Sequence, residues 1–194
     1  MARKKKTLPL RDVDAVLKAM LVLSRTVDHV LENCAVEAAV NEKFSSSKVQ
    51  ILRLLGQRGS QTATQVARFL GVSKPAVSQI INTMVRARLV VRRPAKEDRR
   101  EVGLELTKKG RDAYQAIRQR QRHFVRGTLR QLTERGAEQW AGIFREMSGA
   151  LAKADTSYKH HCLQCGAHAD GSCVLTGGDA HCTFLKNVPT GARS

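Results

Sequence analysis

No apolar run in this chain approaches the ~20 residues needed to span a bilayer, so a membrane partner is not expected. The basic start Met1-Ala2-Arg3-Lys4-Lys5-Lys6 is not followed at once by the apolar stretch, about 7–15 residues long, of a secretory leader. A cytoplasmic location follows as an expectation. That basic arm is as readily a solubilising tail as a contact to a nucleic-acid backbone. The sequence motifs of common enzymes are missing as well. There is no H-E-x-x-H, no G-x-x-x-x-G-K-[ST] and no G-x-S-x-G, and Gly177-Gly178 does not open a helix after a strand. The expectation is therefore a protein that is not an enzyme. Acidic residues are scarce: 17 Asp and Glu face 34 Lys and Arg over 194 residues, a formal net charge of +17. Such an excess favours a polyanionic partner, with a membrane surface as the competitor to nucleic acid.

What is present bears this out along one continuous stretch. Thr62-Ala63-Thr64-Gln65 has the pattern of a capping box, with a hydroxyl at the N-cap and an amide three residues on. It opens a short helix whose apolar positions are Val66, Phe69 and Leu70, and Gly71 ends it. Ser73 then caps a second helix, with Pro75 in the first turn, where a missing N–H costs nothing. Val77, Ile80, Ile81, Met84 and Val85 fall on one face of it. The opposite face carries Lys74, Ser78, Gln79, Asn82 and Arg86, the side-chain chemistry that reads base edges and phosphates in a major groove. A polar face can exist merely to meet water. The tight helix–glycine–helix spacing, with a basic hairpin directly after it, favours DNA.

That hairpin runs from Leu89-Val90-Val91, through a charged tip from Lys96 to Arg100, into Val102, Leu104 and Leu106. The second arm alternates apolar and other residues with the period of a half-buried strand. The tip has nothing to bury and is rich in arginine, which suits contact with phosphates or a narrow minor groove.

Residues from about Ser47 to Gly110 closely resemble the winged helix-turn-helix of MarR-type bacterial transcription regulators. The resemblance rests on "VQILRLLGQRG", "TATQVARFLGVSKPAVSQIINTMVRARLVVRR" and "EDRREVGLELTKKG". The last is the most specific, with its Asp-Arg-Arg tip followed by Leu-Thr-x-x-Gly. A weaker likeness extends over roughly residues 8–153 and stops there. It implies a mainly α fold with a small β wing, flanking dimerisation helices, an obligate dimer and regulation of transcription. It also implies that Asp98 orients the wing while Arg99 or Arg100 enters the minor groove. One departure is visible: "FSSSKVQIL" lacks the usual Leu-Thr entry, and Ser47-Lys48-Val49-Gln50 is expected to cap the helix instead.

Helical periodicity flanks the winged segment. Leu10, Val13, Leu17, Leu21, Val27 and Leu31 predict a long amphipathic first helix, followed by a short one from about Val36 to Phe44. A long helix is expected from Thr107 to about Leu132, and Thr133 caps another bearing Trp140, Ile143, Phe144, Met147 and Leu151. Interdigitated across a two-fold axis, such helices would set two recognition helices one DNA turn apart. Trp140 and Phe144 suit a dimer core better than a ligand cage.

Beyond this domain, residues 1–153, lies a different kind of polypeptide, residues 154–194. Periodicity disappears, glycine becomes frequent, and too few large apolar side chains remain for independent folding. Four of the five cysteines, Cys162, Cys165, Cys173 and Cys182, fall here with spacing C-x2-C-x7-C-x8-C. Clustered cysteines of a cytosolic protein are more often metal ligands than disulfides. A second C-x2-C is lacking, which leaves zinc and an iron–sulfur cluster both open, with a metal-free thiol switch behind them. His160, His161, His168 and His181 are reserve ligands. Cys34 stands apart. Related regulators sometimes carry a peroxide-sensing thiol in that region, but a small buried apolar residue is the plainer role, and nothing adjacent marks it as activated.

The expectation is a homodimeric, sequence-specific regulator, a repressor by resemblance, with an appended cysteine-ligated centre. Two other classes stay open. One is a nonspecific or architectural DNA binder, separable by competition with random DNA. The other is a metal-dependent enzyme fused to a DNA-binding module, which would require turnover of a substrate. The sequence leaves undecided whether a small-molecule effector is a further partner.

Overall fold

The computed structural model describes residues 9–40, 44–94, 101–130, 132–154 and 173. The chain opens with helix α1 (Leu10–Val27), which passes without a break into a π-helical segment (Asp28–Cys34) and then into α2 (Ala35–Val40). Three helices and a small sheet follow: α3 (Ser46–Arg58), β1 (Gln61–Thr62), α4 (Ala63–Leu70), α5 (Lys74–Arg86), β2 (Val90–Pro94) and β3 (Val102–Leu106). Two long helices, α6 (Lys108–Thr128) and α7 (Glu134–Ala154), complete the described chain.

The fold is mainly α with an antiparallel sheet in the order β1-β3-β2. Val90 stands opposite Leu106 and Arg92 opposite Leu104, so the expected hairpin forms in the register that turns Val90, Leu104 and Leu106 inward. Strand β1 was not anticipated. Two polar residues show no alternation, yet Gln61 and Thr62 pair with Leu104 and Gly103 on the free edge of β3.

One core gathers these pieces. Ile51, Leu52 and Leu55 of α3, Val66 and Phe69 of α4, and Val77, Ile81 and Met84 of α5 are buried against the sheet. Val36 of α2 and Tyr114 and Ile117 of α6 close it. Each large side chain removed from water contributes ~1.5–3 kcal/mol, so this shared core is the main stabilising feature of the winged segment.

The ends of elements differ from the sequence expectation in several places. Ser45, not Ser47, caps α3: its hydroxyl accepts from the Lys48 N–H and its φ of -66° and ψ of 151° are those of an extended residue. Within a run of three serines, the one that leaves the helix first takes the role. Helix α6 stops at Thr128, short of Leu132, and Thr133 caps α7 by accepting from the Gly136 N–H at 3.1 Å. The first amphipathic helix is α-helical only to Val27, and Leu31 falls in the π-helical segment. Helix α7 reaches Ala154, one residue past the expected domain boundary.

The first turn of α6 fixes the position of that helix. Gly110 lies so close to the α5–β2 corner that an added Cβ would sit 2.0 Å from the Leu89 carbonyl oxygen. Thr107 caps α6 by accepting from the Gly110 N–H at 3.0 Å, while its hydroxyl donates to the Arg88 carbonyl at 2.6 Å. Gly110→Ala is expected to lower stability by about 1–3 kcal/mol through forced displacement of α6, read as an earlier denaturant midpoint. An unchanged midpoint would show that α6 can shift freely at this corner.

Candidate nucleic-acid interface

The geometry of the candidate site starts at the α4 cap. Thr62 Oγ1 accepts from the Gln65 N–H, and the Gln65 side chain accepts from the Thr62 N–H at 2.7 Å, closing the expected capping box. Gly71 takes the left-handed conformation, φ 68° and ψ 28°, and ends α4 where a Cβ would be strained. Two residues later Ser73 caps α5, its hydroxyl accepting from the Ala76 N–H, with Pro75 in the first turn. Val77, Ile81 and Met84 bury one face of α5, with Ile80 and Val85 packed beside them. Ser73, Lys74, Pro75, Ser78, Gln79, Asn82 and Arg86 are all exposed, so the seven helix residues picked from sequence share the solvent side.

Charge reinforces that surface. From Gln61 to Pro94 there are six Lys and Arg and not one Asp or Glu. The N-terminus of α5 adds the positive end of its dipole, with no acidic residue in its first turn to offset it. Around the C-terminus of α5, the Lys109 ammonium donates to the Ala87 carbonyl at 3.1 Å. Arg88 follows with φ 59°, a left-handed residue that turns the chain sharply from helix into strand.

Sequence reasoning missed two residues of this surface, Arg92 and Arg93 on β2. Arg92 donates from Nη2 to Asn82 Oδ1 at 2.7 Å, a contact between wing and recognition helix. Arg93 projects from the other face of the strand, with Nε 4.0 Å from Glu105 Oε2. The run of paired basic residues was visible in the sequence. Which of them faces α5 depends on strand register and was not.

Asp98, Arg99 and Arg100 lie outside the described residues. So do Cys162, Cys165 and Cys182 and the four reserve histidines; Cys173 is half-exposed. Cys34 departs from its expected part as a buried apolar residue. It is half-exposed, and its Sγ lies 3.6 Å from His29 Nε2, a neighbour five residues back that the π-helical turn brings alongside. Among the described residues no helix is long and apolar enough to cross a membrane.

Comparison with known proteins agrees with this geometry. Residues 44–101 match the MarR family. They form a MarR-family domain. A curated relative, an uncharacterized HTH-type transcriptional regulator, YpoP, from Bacillus subtilis, is 25% identical over 105 residues, covering 54% of this chain and 74% of that protein. Among solved structures, RV1404 from Mycobacterium tuberculosis is 25% identical with a TM-score of 0.63, over 80% of this chain and 99% of that one. A MarR family protein from Bacillus stearothermophilus shares the fold at a TM-score of 0.63 and 13% identity, over 75% and 99% of the two chains. The matched segment spans α3 to β2 and is similar to DNA-binding regulators of transcription.

Proposed function

We propose that this chain is a homodimeric, sequence-specific DNA-binding protein of the cytoplasm that represses transcription by occupying a pseudo-palindromic promoter site. The observation that carries this reading is the acid-free, exposed face of α5 beside an arginine-bearing wing. In that arrangement Ser73, Lys74 and Pro75 lead the helix into the major groove and Ser78 and Gln79 face base edges. Arg86 meets phosphate, and Arg99 and Arg100 reach the minor groove with Asp98 orienting the tip.

Dimerisation is supported by helices that lack partners. Helix α1 continues into the π-helical segment and otherwise makes only glancing contacts among the described elements; the same holds for α7. Yet Leu17 and Leu21 of α1 are 52% and 56% exposed, and Trp140 and Ile143 of α7 are 50% and 53% exposed. Trp140 and Phe144 meet edge to face, with ring centroids 5.9 Å apart. Apolar faces of this length on two separate helices are what a second copy would cover. For a small-molecule effector, one open face of α6 carries Arg118, Arg122 and Arg126 in a row. None has a carboxylate partner among the described residues, which suits an organic anion. The four thiolates of Cys162, Cys165, Cys173 and Cys182 form a donor set that fits either zinc or an iron–sulfur cluster, and such a centre would modulate the dimer.

Three outcomes follow. With a duplex that the protein itself selects from a random-sequence library, Gln79→Ala should cost about 1–3 kcal/mol of discrimination against a mutated site, whereas Arg99→Ala or Arg100→Ala should flatten the salt dependence. If random competitor DNA displaces the protein as readily as the selected duplex, the nonspecific reading replaces this one. Leu17→Glu or Phe144→Glu should lower the sedimentation mass or unfold the chain, since fold and assembly are linked. A wild-type monomer that still grips a palindrome tightly would sink the dimer. Finally, anaerobically purified protein should carry stoichiometric zinc or show iron–sulfur absorption, and Cys165→Ser should lose it; metal-free wild type would leave only a thiol switch.

A further inference from the structure

We propose that Arg92 is a DNA-backbone contact and that Asn82 is the positioning residue that presents it, acting through the arginine and not as a reader of bases. This rests on the reading of α5 as the groove-entering helix. The Arg92–Asn82 hydrogen bond, at 2.7 Å, is short for an N–H···O contact and joins residues ten apart across the α5–β2 corner. Both side chains are exposed, so burial does not force them together.

Strand register explains why this arginine is the one presented. Arg92 stands opposite Leu104 on the face of β2 that also carries the buried Val90, the face turned toward the helices. Arg93, one residue on, points the other way toward Glu105. Among the described residues Arg92 has no carboxylate within ion-pair distance, so its charge is left uncompensated beside the groove-facing helix.

The chemistry of Asn82 argues in the same direction. A bidentate amide contact to adenine needs both Oδ1 and Nδ2. Here Oδ1 already accepts a charge-assisted bond from the guanidinium, and base reading would have to break it. Position agrees. Asn82 lies eight residues beyond Lys74, about 12 Å along the helix axis, which is roughly the width of the major groove. Residues near the start of a recognition helix meet base edges, so one this far along stands at the groove's lip, where the phosphates run. A guanidinium has five N–H donors, and holding one on Asn82 leaves the others pre-oriented for a phosphate oxygen.

The test uses full-length protein, a duplex that wild type selects from a random library, and a scrambled duplex of equal length, each titrated across salt concentrations. Arg92→Ala should weaken binding to both duplexes alike, by about tenfold or more, and reduce the salt slope by about 1. Asn82→Ala should weaken both alike but less, with little change in slope, and should add nothing in the Arg92→Ala background. Arg92→Lys should keep the wild-type slope while its affinity falls to the level of Asn82→Ala, because an ammonium retains the charge without the planar fork. The proposal is overturned if Asn82→Ala narrows the selected-to-scrambled ratio by tenfold while Arg92→Ala leaves the slope intact. A wild-type protein that selects no sequence and binds neither duplex would bring down the DNA-binding reading itself, a result no Arg92 variant can mimic. Thermal unfolding of each variant should match wild type, as exposed residues allow.

Discussion

The close approach of Gly110 to the Leu89 carbonyl governs how the rest of the molecule is arranged. Helix α6 can rest its first turn on the α5–β2 corner only because position 110 has no side chain. Once it is there, Thr107 and Lys109 bond the carbonyls of Arg88 and Ala87, groups that the end of α5 would otherwise leave without intrahelical donors. Arg111 adds a bond from Nη1 to the Leu106 carbonyl at 2.7 Å, tying the end of β3 to the same turn. One corner thus ties three elements together: the end of α5, the β2–β3 hairpin and the first turn of α6.

Two kinds of exposed surface are kept apart along the chain. The segment from Gln61 to Pro94 shows solvent a polar, cationic face and buries its apolar one. Helices α1 and α7 do the reverse, leaving leucines, valines and Trp140 in water. The π-helical segment joins the two regimes. Glu32 on it pairs with Arg53 of α3 at 2.7 Å with both side chains largely buried, and the Gln121 amide of α6 donates to the Leu31 carbonyl at 2.9 Å. A half-buried ion pair loses less to solvent screening than a surface one, so this junction is a firmer link than the charges at Lys108 and Asp112.

Much of the winged segment was legible because its signals are local. The Thr62 capping box, Gly71, and Ser73 with Pro75 each follow from one residue's conformational or hydrogen-bonding preference, and each was found where expected. What escaped depends on contacts between distant residues. Strand β1 exists because β3 has a free edge, not because Gln61 and Thr62 favour extension. The Asn82–Arg92 bond requires the register of the hairpin, and Asn82 alone looks like any groove-facing amide. His29 and Cys34 stand five apart, a spacing that an ordinary helix does not bring into contact. Among the serines before α3, pattern alone could not choose between Ser45 and Ser47, since either is followed three residues on by a long polar side chain.

The π-helical segment has a geometric effect on the helices at either end of it. In an α-helix each residue advances the side-chain direction by about 100°, so the stripe set up by Leu17 and Leu21 would recur at fixed positions further along the rod. Wider turns between Asp28 and Cys34 act as an inserted residue and reset that phase. Upstream of it Leu17 and Leu21 are 52% and 56% exposed; downstream, Ala35 and Val36 are 0% and 1% exposed. A single rod thereby carries an exposed apolar stretch in its first half and a buried one in its last. Excising one residue between 28 and 34 would rotate the two stretches against each other by about 100°.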